Sequence, residues 1–237
     1  FIRPAGLDIS AGDIALAKGT CLSARSIGLA TAAGATSATV SVPPRIGILS
    51  TGDELVAAGK TPGPGQIISS NAAFLTAFVK SYGAEAVDLG IIKDRPGAVF
   101  DAVTAAENLQ LVVTTGGASV GSHDHIASDL AAGALDFWKI AMRPGKPLIW
   151  GKIGDTPLLG LPGNPVSTAV CALVFLAPAI CKLGGGTPQH YVFSAPLTTD
   201  MPENDQRQDY IRATLTTNAN GQTQIHPAPR QDSSMMA

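Results

Sequence analysis

Apolar residues fall into four short runs, each bounded by Gly, Pro or charge: Arg45–Ser50 (RIGILS), Ala86–Ile92 (AVDLGII), Leu109–Thr114 (LQLVVT) and Pro157–Leu161 (PLLGL). Each is rich in Val, Ile or Leu without sustained alternation, which predicts strands buried on both faces. Helical spacing appears between them. Ser70–Tyr82 places Phe74, Leu75, Phe78 and Val79 along one face, with Asn71 as a candidate cap. Pro96–Glu107 opens on a first-turn proline and aligns Val99, Phe100 and Val103. Pro165–Lys182 is apolar all round and stops at Gly184-Gly185-Gly186. Strand and helix alternate, so the centre is predicted to be βαβ units building a parallel sheet with helices on both sides. The run Val166–Leu183 is shorter than the ~20 residues a membrane span needs and contains Pro178, which favours a buried helix.

The two ends break this pattern. Residues 1–43 are polar and punctuated by Gly6, Gly12 and Gly19, with one short Ala-rich helix near Ser23–Gly34, and they end at a Pro43-Pro44 hinge. After Gly186 the pieces are short and strand-like: His190–Phe193, Asp209–Thr216 and Gln222–Ile225. The 237 residues suggest one large domain, or one plus a small appendage, at roughly 150 residues per domain. Hydrophobic residues make up 45% and charged residues 14%, which excludes a disordered chain. A net charge of −2 without like-charge blocks argues against a nucleic-acid footprint. Cys21, Cys171 and Cys181 form no CxxC pair, so neither a disulfide framework nor a zinc site is indicated, and a reducing, cytoplasmic setting is expected. The chain opens on Phe1 without Met, and a fragment of a longer protein is expected.

Chemistry is expected in the loops that leave the carboxyl ends of the strands. After the first comes Ser50-Thr51-Gly52-Asp53-Glu54-Leu55, which suits either a hydroxyl- or magnesium-binding turn or a solvated turn. Asp94, after the second, reads best by itself as part of the cap of the helix opened by Pro96. The third runs into Thr114-Thr115-Gly116-Gly117-Ala118-Ser119-Val120-Gly121, followed by Asp124 and a helix near His125–Ala131. Three glycines there either let backbone amides approach an anion or serve tight packing, and the spacing matches neither GxxxxGK[ST] nor GxGxxG. Asp124 suits a helix cap or a ligand equally. Lys139, Arg143 and Lys146 fall within eight residues around Pro144-Gly145, facing either anionic groups or a solvated strand pair. Pro162-Gly163-Asn164-Pro165 opens the apolar helix, with Asn164 as its expected cap and an N-terminus that attracts anions. No histidine is given a metal role, and no GxSxG elbow is present. An anion cradle, several carboxylates and nearby cations together describe a phosphate-bearing substrate handled with magnesium.

At these loops the chain resembles the molybdopterin molybdenumtransferase family, MoeA, which includes the gephyrin E region. The matching motifs are STGDEL (50–55), GQIISSN (65–71), TTGGASVG with Asp124, FWKIAMRPGKP (137–147) and GLPGNP (160–165), in the family's order. The resemblance implies a three-layer α/β catalytic domain over 44–187, of parallel or mixed sheet. It implies the return segment of an elongated first domain over 1–43, and the start of a small C-terminal β-barrel over 188–237. It also implies that adenylylated molybdopterin and molybdate are the substrates, that Mg²⁺ is required and that AMP is released.

Carried over by motif, Asp53, Glu54, Asp94, Asp124 and Asp8 match acidic active-site positions, with Asp94 and Asp124 expected at the metal. Thr115, Gly116, Gly117, Ser119, Gly121, Lys139, Arg143, Lys146, Pro162, Gly163, Asn164 and Pro165 are expected to bind substrate. Arg143 stands where close relatives carry Lys. The resemblance further implies a homodimer and contact with other molybdenum cofactor biosynthesis proteins, without nucleic-acid or membrane partners. The adenylyltransferase and CinA-type pyrophosphatase of the same superfamily lack the flanking segments 1–43 and 188–237. A gephyrin-like scaffold is the non-catalytic alternative, and the retained carboxylates and cations argue against it.

Overall fold

The computed structural model describes residues 2, 4–117, 130, 135–188 and 192–236. The first elements are α1 (Ala24–Ala32), β1 (Arg45–Thr51), β2 (Leu55–Val56), β3 (Ile67–Ile68), α2 (Ser70–Ser81), β4 (Glu85–Ile92), α3 (Ala98–Ala105) and β5 (Leu111–Thr115). Then come β6 (Leu135–Trp138), β7 (Met142–Arg143), β8 (Ile149–Ile153), β9 (Thr156–Leu161) and a helix, α4, over Pro165–Leu183. The last are β10 (Gln208–Asp209), β11 (Ala213–Thr217) and β12 (Thr223–Pro227).

One six-stranded sheet runs β4-β1-β5-β9-β8-β6. The four strands expected from the apolar runs are its parallel part, while β8 lies antiparallel to β9 and β6 antiparallel to β8. The sheet is therefore mixed. The two added strands escape the pattern because their exposed positions (Lys152 in β8, Asp136 and Phe137 in β6) dilute the apolar signal. Helix α2 packs on β1 and β4 together with α4, whereas α3 packs on β4 and β8. Two apolar layers result. Ile46, Ile48, Leu111, Val113, Leu159 and Leu161 face Leu75, Val79, Cys171, Leu176 and Ile180 on one side. Leu49, Val112, Ile149 and Leu158 face Val99 and Val103 on the other. This is the expected three-layer α/β arrangement.

Three local expectations change. The third strand begins at Leu111 because Gln110 is used for edge bonds, its amide to the Arg45 carbonyl and its Oε1 to the Arg45 amide. Helix α3 begins at Ala98, after Gly97 adopts φ +77°, so Pro96 sits in the turn before the helix. Helix α4, 19 residues with a π turn over Ala172–Leu176, is long and apolar enough to cross a bilayer on length and composition. Length alone thus does not separate the two readings. Its Cys171, Ala172, Leu176 and Ile180 are buried in the core beneath the sheet.

The ends stay peripheral. Ser23 caps α1 by accepting from the Ser26 amide, yet no residue of α1 is buried. In the C-terminal segment β11 and β12 form an antiparallel hairpin, bridged by Leu197 to Ile225. Such short strands are consistent with a small barrel. The expected strand at Asp209–Thr216 divides into β10 and β11, and β10 leaves the hairpin to pair with β7. His190 lies outside the described residues; Val192 and Phe193 form no strand and are exposed.

Candidate functional site

Strand order decides where the chemistry gathers. From β1 the chain passes through α2 to β4 on one flank, then crosses back through α3 to β5 on the other. The winding direction reverses between β1 and β5, and the crevice at their carboxyl ends is the place such sheets bind ligands. The antiparallel register Ile149↔Gly160 brings the turn before β8 to this same edge. The loops after β4, β1, β5 and β9, and the 139–148 turn, thus form a row in strand order. At ~4.8 Å per strand, the acidic loop after β1 and the cationic turn before β8 stand about 15 Å apart.

The centre of the row is the tightest. Gly116, at φ +89°, lies so close to β1 that a Cβ on it would overlap the Thr51 carbonyl oxygen and stand 3.2 Å from Thr51 Oγ1. Only glycine fits there. Thr51 is 3% exposed, and its hydroxyl has no hydrogen-bond partner among the described residues. Gly163 approaches from β9, its absent Cβ 3.6 Å from Gly116 Cα. Asn71 joins the two sides. Its Nδ2 donates to Thr115 Oγ1 and to the Gly163 carbonyl, each at 2.8 Å. The expected cap role of Asn71 is therefore replaced: Ser69 holds the N-cap position of α2, and its hydroxyl meets Ser50 Oγ at 3.1 Å instead of capping. Thr115 is buried and engaged by Asn71. Gly117 follows at φ +61°, while Ser119, Gly121 and Asp124 lie outside the described residues.

On the acidic side, the β2–β3 ladder pins the loop through the Ile67 amide on the Glu54 carbonyl. Glu54 folds back over Gly52, where any Cβ would fall 2.6 Å from its carboxylate. The Asp94 amide donates to Asp53 Oδ1 at 3.4 Å, so these two carboxylates come from adjoining loops and both reach solvent. Among the described residues no three Asp, Glu, His or Cys side chains gather to hold a metal. The hard oxygen donors Asp53, Glu54 and Asp94 nevertheless suit Mg²⁺, which keeps waters and takes one or two carboxylates beside substrate phosphates. Asp8 is exposed in the N-terminal segment.

The cationic turn closes on itself. The Lys139 amide donates to the Leu148 carbonyl, and the amides of Ile140 and Leu148 both donate to the Lys146 carbonyl. Gly145 rests on α4, its absent Cβ 2.6 Å from Cys171 Sγ. Lys139 lies 4.5 Å over the Trp138 ring, and both Lys139 and Lys146 are exposed. Arg143 differs from them. Its guanidinium makes two bonds to the Asp209 carboxylate, through Nε at 2.9 Å and through a second nitrogen, and these bonds push its pKa further up.

The 162–165 loop is stitched from below, Thr168 Oγ1 donating to the Pro162 carbonyl at 2.6 Å and to the Asn164 carbonyl at 3.1 Å. Pro165 opens α4 as expected, but Asn164 makes no side-chain cap. Its Nδ2 donates to Ser233 Oγ at 3.0 Å, and the Ser233 carbonyl accepts the Val166 amide. The C-terminal segment thus occupies part of the helix N-terminus that the sequence offered to anions. Thr51, Asn71, Thr168 and Asp209 are the contributors that sequence reading missed. Thr51 and Asn71 fall inside quoted motifs; Asp209 carries no local signal.

Residues 47–182 match the family described as probable molybdopterin binding domain, and residues 194–237 match the MoeA C-terminal region (domain IV). A molybdopterin molybdenumtransferase from Haemophilus influenzae is 35% identical over 242 residues, covering 100% of this chain and 59% of that protein. One from Nostoc sp. is 40% identical over 191 residues, covering 78% of this chain and 44% of that protein. The chain thus spans about half the length of these relatives. Among solved structures, a molybdopterin biosynthesis MoeA protein from Pyrococcus horikoshii aligns with a TM-score of 0.74 at 26% identity, covering 95% of this chain and 55% of the other.

Proposed function

The chain belongs to the molybdopterin-binding domain family in its MoeA form, and from this we propose that it works as a molybdenumtransferase in molybdenum cofactor biosynthesis. The substrates are adenylylated molybdopterin and molybdate, and AMP leaves as molybdenum joins the dithiolene. One observation carries the reading. At the switch point a glycine that tolerates no side chain lies against a buried Thr51 hydroxyl that has no hydrogen-bond partner among the described residues, and such a cradle suits a phosphate oxygen.

The row of loops supports the rest. Backbone amides at Gly116 and Gly117 orient the phosphates, held in place by Asn71. Asp53, Glu54 and Asp94, with Asp124, are the residues that would hold Mg²⁺, which supplies Lewis-acid polarisation of the leaving phosphate. Lys139 and Lys146 at the far end offset oxyanion charge. The separation of acidic and cationic ends fits an extended substrate carrying its nucleotide phosphates at one end and molybdate at the other. We further propose a homodimeric assembly, delivery of substrate by other cofactor-biosynthesis proteins and a cytoplasmic setting.

The test is AMP release by the full-length protein given adenylylated molybdopterin, molybdate and Mg²⁺. Molybdate-dependent release is expected, at least tenfold slower in Asp53→Asn, a barrier rise of about 1.4 kcal/mol. Nucleotide binding without any release would overturn the proposal in favour of a scaffold.

A further inference from the structure

The cationic turn is held from outside the α/β unit. Residues 208–209 add a parallel strand to 142–143: the Gln208 amide donates to the Ala141 carbonyl and the Tyr210 amide to the Arg143 carbonyl, each at 2.8 Å. At the end of this ladder Arg143 meets Asp209 in a two-bonded pair. The Asp209 side chain is only 10% exposed, whereas that of Arg143 is 47% exposed. Asp205 stands 3.7 Å from Arg143 but is itself gripped by Arg207, at 3.0 and 3.1 Å from its Nε. The bidentate bond to Asp209 is therefore the one that fixes the guanidinium, because two parallel bonds set direction as well as distance.

This pairing changes what the three cations of the turn do. Arg143 is neutralised by its partner, and Lys139 and Lys146 are exposed and, among the described residues, form no ion pair. They sit at either end of the segment that Arg143 anchors, and their backbones share the bonds that close the turn. We infer that Asp209 is a positioning residue: through Arg143 it sets the turn from which Lys139 and Lys146 face an oxyanion. The C-terminal segment thereby takes part in anion binding without touching the anion. This rests on reading Lys139 and Lys146 as the anion-facing cations. It differs sharply from the alternative in which Asp209 merely blocks Arg143, since freeing Arg143 would then improve anion binding.

The test uses the full-length protein with Asp209→Asn, Asp209→Glu, Arg143→Gln and the double variant Asp209→Asn with Arg143→Gln. Hydrogen exchange at the amides of Ile140 and Leu148 needs no ligand; at least tenfold faster exchange is expected in Asp209→Asn, and unchanged exchange overturns the inference. Sodium molybdate affinity is measured by isothermal titration calorimetry. Each single loss is expected to weaken binding about tenfold, the double variant to be no weaker than either, and Asp209→Glu to recover to within about threefold, since coupled partners are not additive. In AMP release the molybdate KM rises while kcat stays within about threefold. A fall in kcat alone, additive losses, or tighter molybdate binding in Asp209→Asn would each overturn it. If the wild-type protein releases no AMP, the proposed reaction fails, while the exchange measurement still decides the role of Asp209.

Discussion

Asn71 offers a way to loosen the crevice without touching the charged residues. Its amide group must face the Gly163 carbonyl, which can only accept, so the observed orientation of two donated bonds at 2.8 Å is chemically required. A neutral hydrogen bond contributes about 0.5–1.5 kcal/mol net, and a buried acceptor left without its partner costs more than an exposed one. Thr115 is 1% exposed and has no water to replace Asn71, whereas Gly163 is exposed and does. Asn71→Ala is therefore expected to cost about 2 kcal/mol, most of it on the Thr115 side. Against a typical stability of about 5–15 kcal/mol the protein remains folded. Asn71→Asp keeps the shape but sets a carboxylate against the Gly163 carbonyl, acceptor against acceptor, while the Thr115 hydroxyl can turn to donate to it, so a loss of stability at neutral pH is expected from the Gly163 side. Its deficit should shrink as pH falls and the new carboxyl regains a proton to donate. Urea denaturation of the full-length protein measures both variants, and AMP release measures KM for adenylylated molybdopterin, expected to rise. If Asn71→Asp is as stable as wild type, or Ala costs under about 0.5 kcal/mol with KM unchanged, Asn71 is not the tie described.

Gly116→Ala combines a left-handed backbone, worth about 1–2 kcal/mol, with overpacking against β1, worth about 1–3 kcal/mol. A urea-measured loss of about 2–5 kcal/mol is expected, and a loss under about 1 kcal/mol would refute the close approach. Burial pushes the Cys171 thiol up to about 12, while Cys21 is exposed. Iodoacetamide at mildly alkaline pH should label Cys21 in the native protein and Cys171 only after unfolding, and equal rates would contradict that packing. The Asp205 carboxyl is held down to about 2, from an ordinary 3.8, mainly by its bonds to Arg207. A depressed carboxylate favours the fold above its unfolded value, so this contribution is present above about pH 4 and fades as pH falls toward 2. Carbon-detected titration by NMR checks it; a midpoint at 3.8 would show that the pair does not form in solution.

Much of the α/β unit is legible because its signals are local. RIGILS and LQLVVT read as strands since both faces of a central parallel strand are apolar, and Pro165 after Asn164 marks the start of α4 whatever lies around it. β8 was hidden because an antiparallel strand next to the sheet edge keeps exposed positions such as Lys152. Asn71 departs from its expected cap role for a related reason. An Asn at a helix start caps in most contexts, and only the arrival of Thr115 and Gly163, 44 and 92 residues away, redirects its amide.

Charge shows the same division. Composition and spacing place Lys139, Arg143 and Lys146 together, since eight residues of chain cannot separate them. Whether the Arg143 charge is free depends on a carboxylate 66 residues further on, which no local pattern announces. By itself the sequence determined the layered α/β core, the loops that leave its strands and the family to which their motifs belong. The tertiary structure alone decided the mixed sheet, the closure of Gly116 over Thr51 and the capture of Arg143 by Asp209. The physical reason is range: apolar periodicity and turn chemistry act over a few residues, whereas hydrogen bonds across a crevice exist only once distant strands have been set side by side.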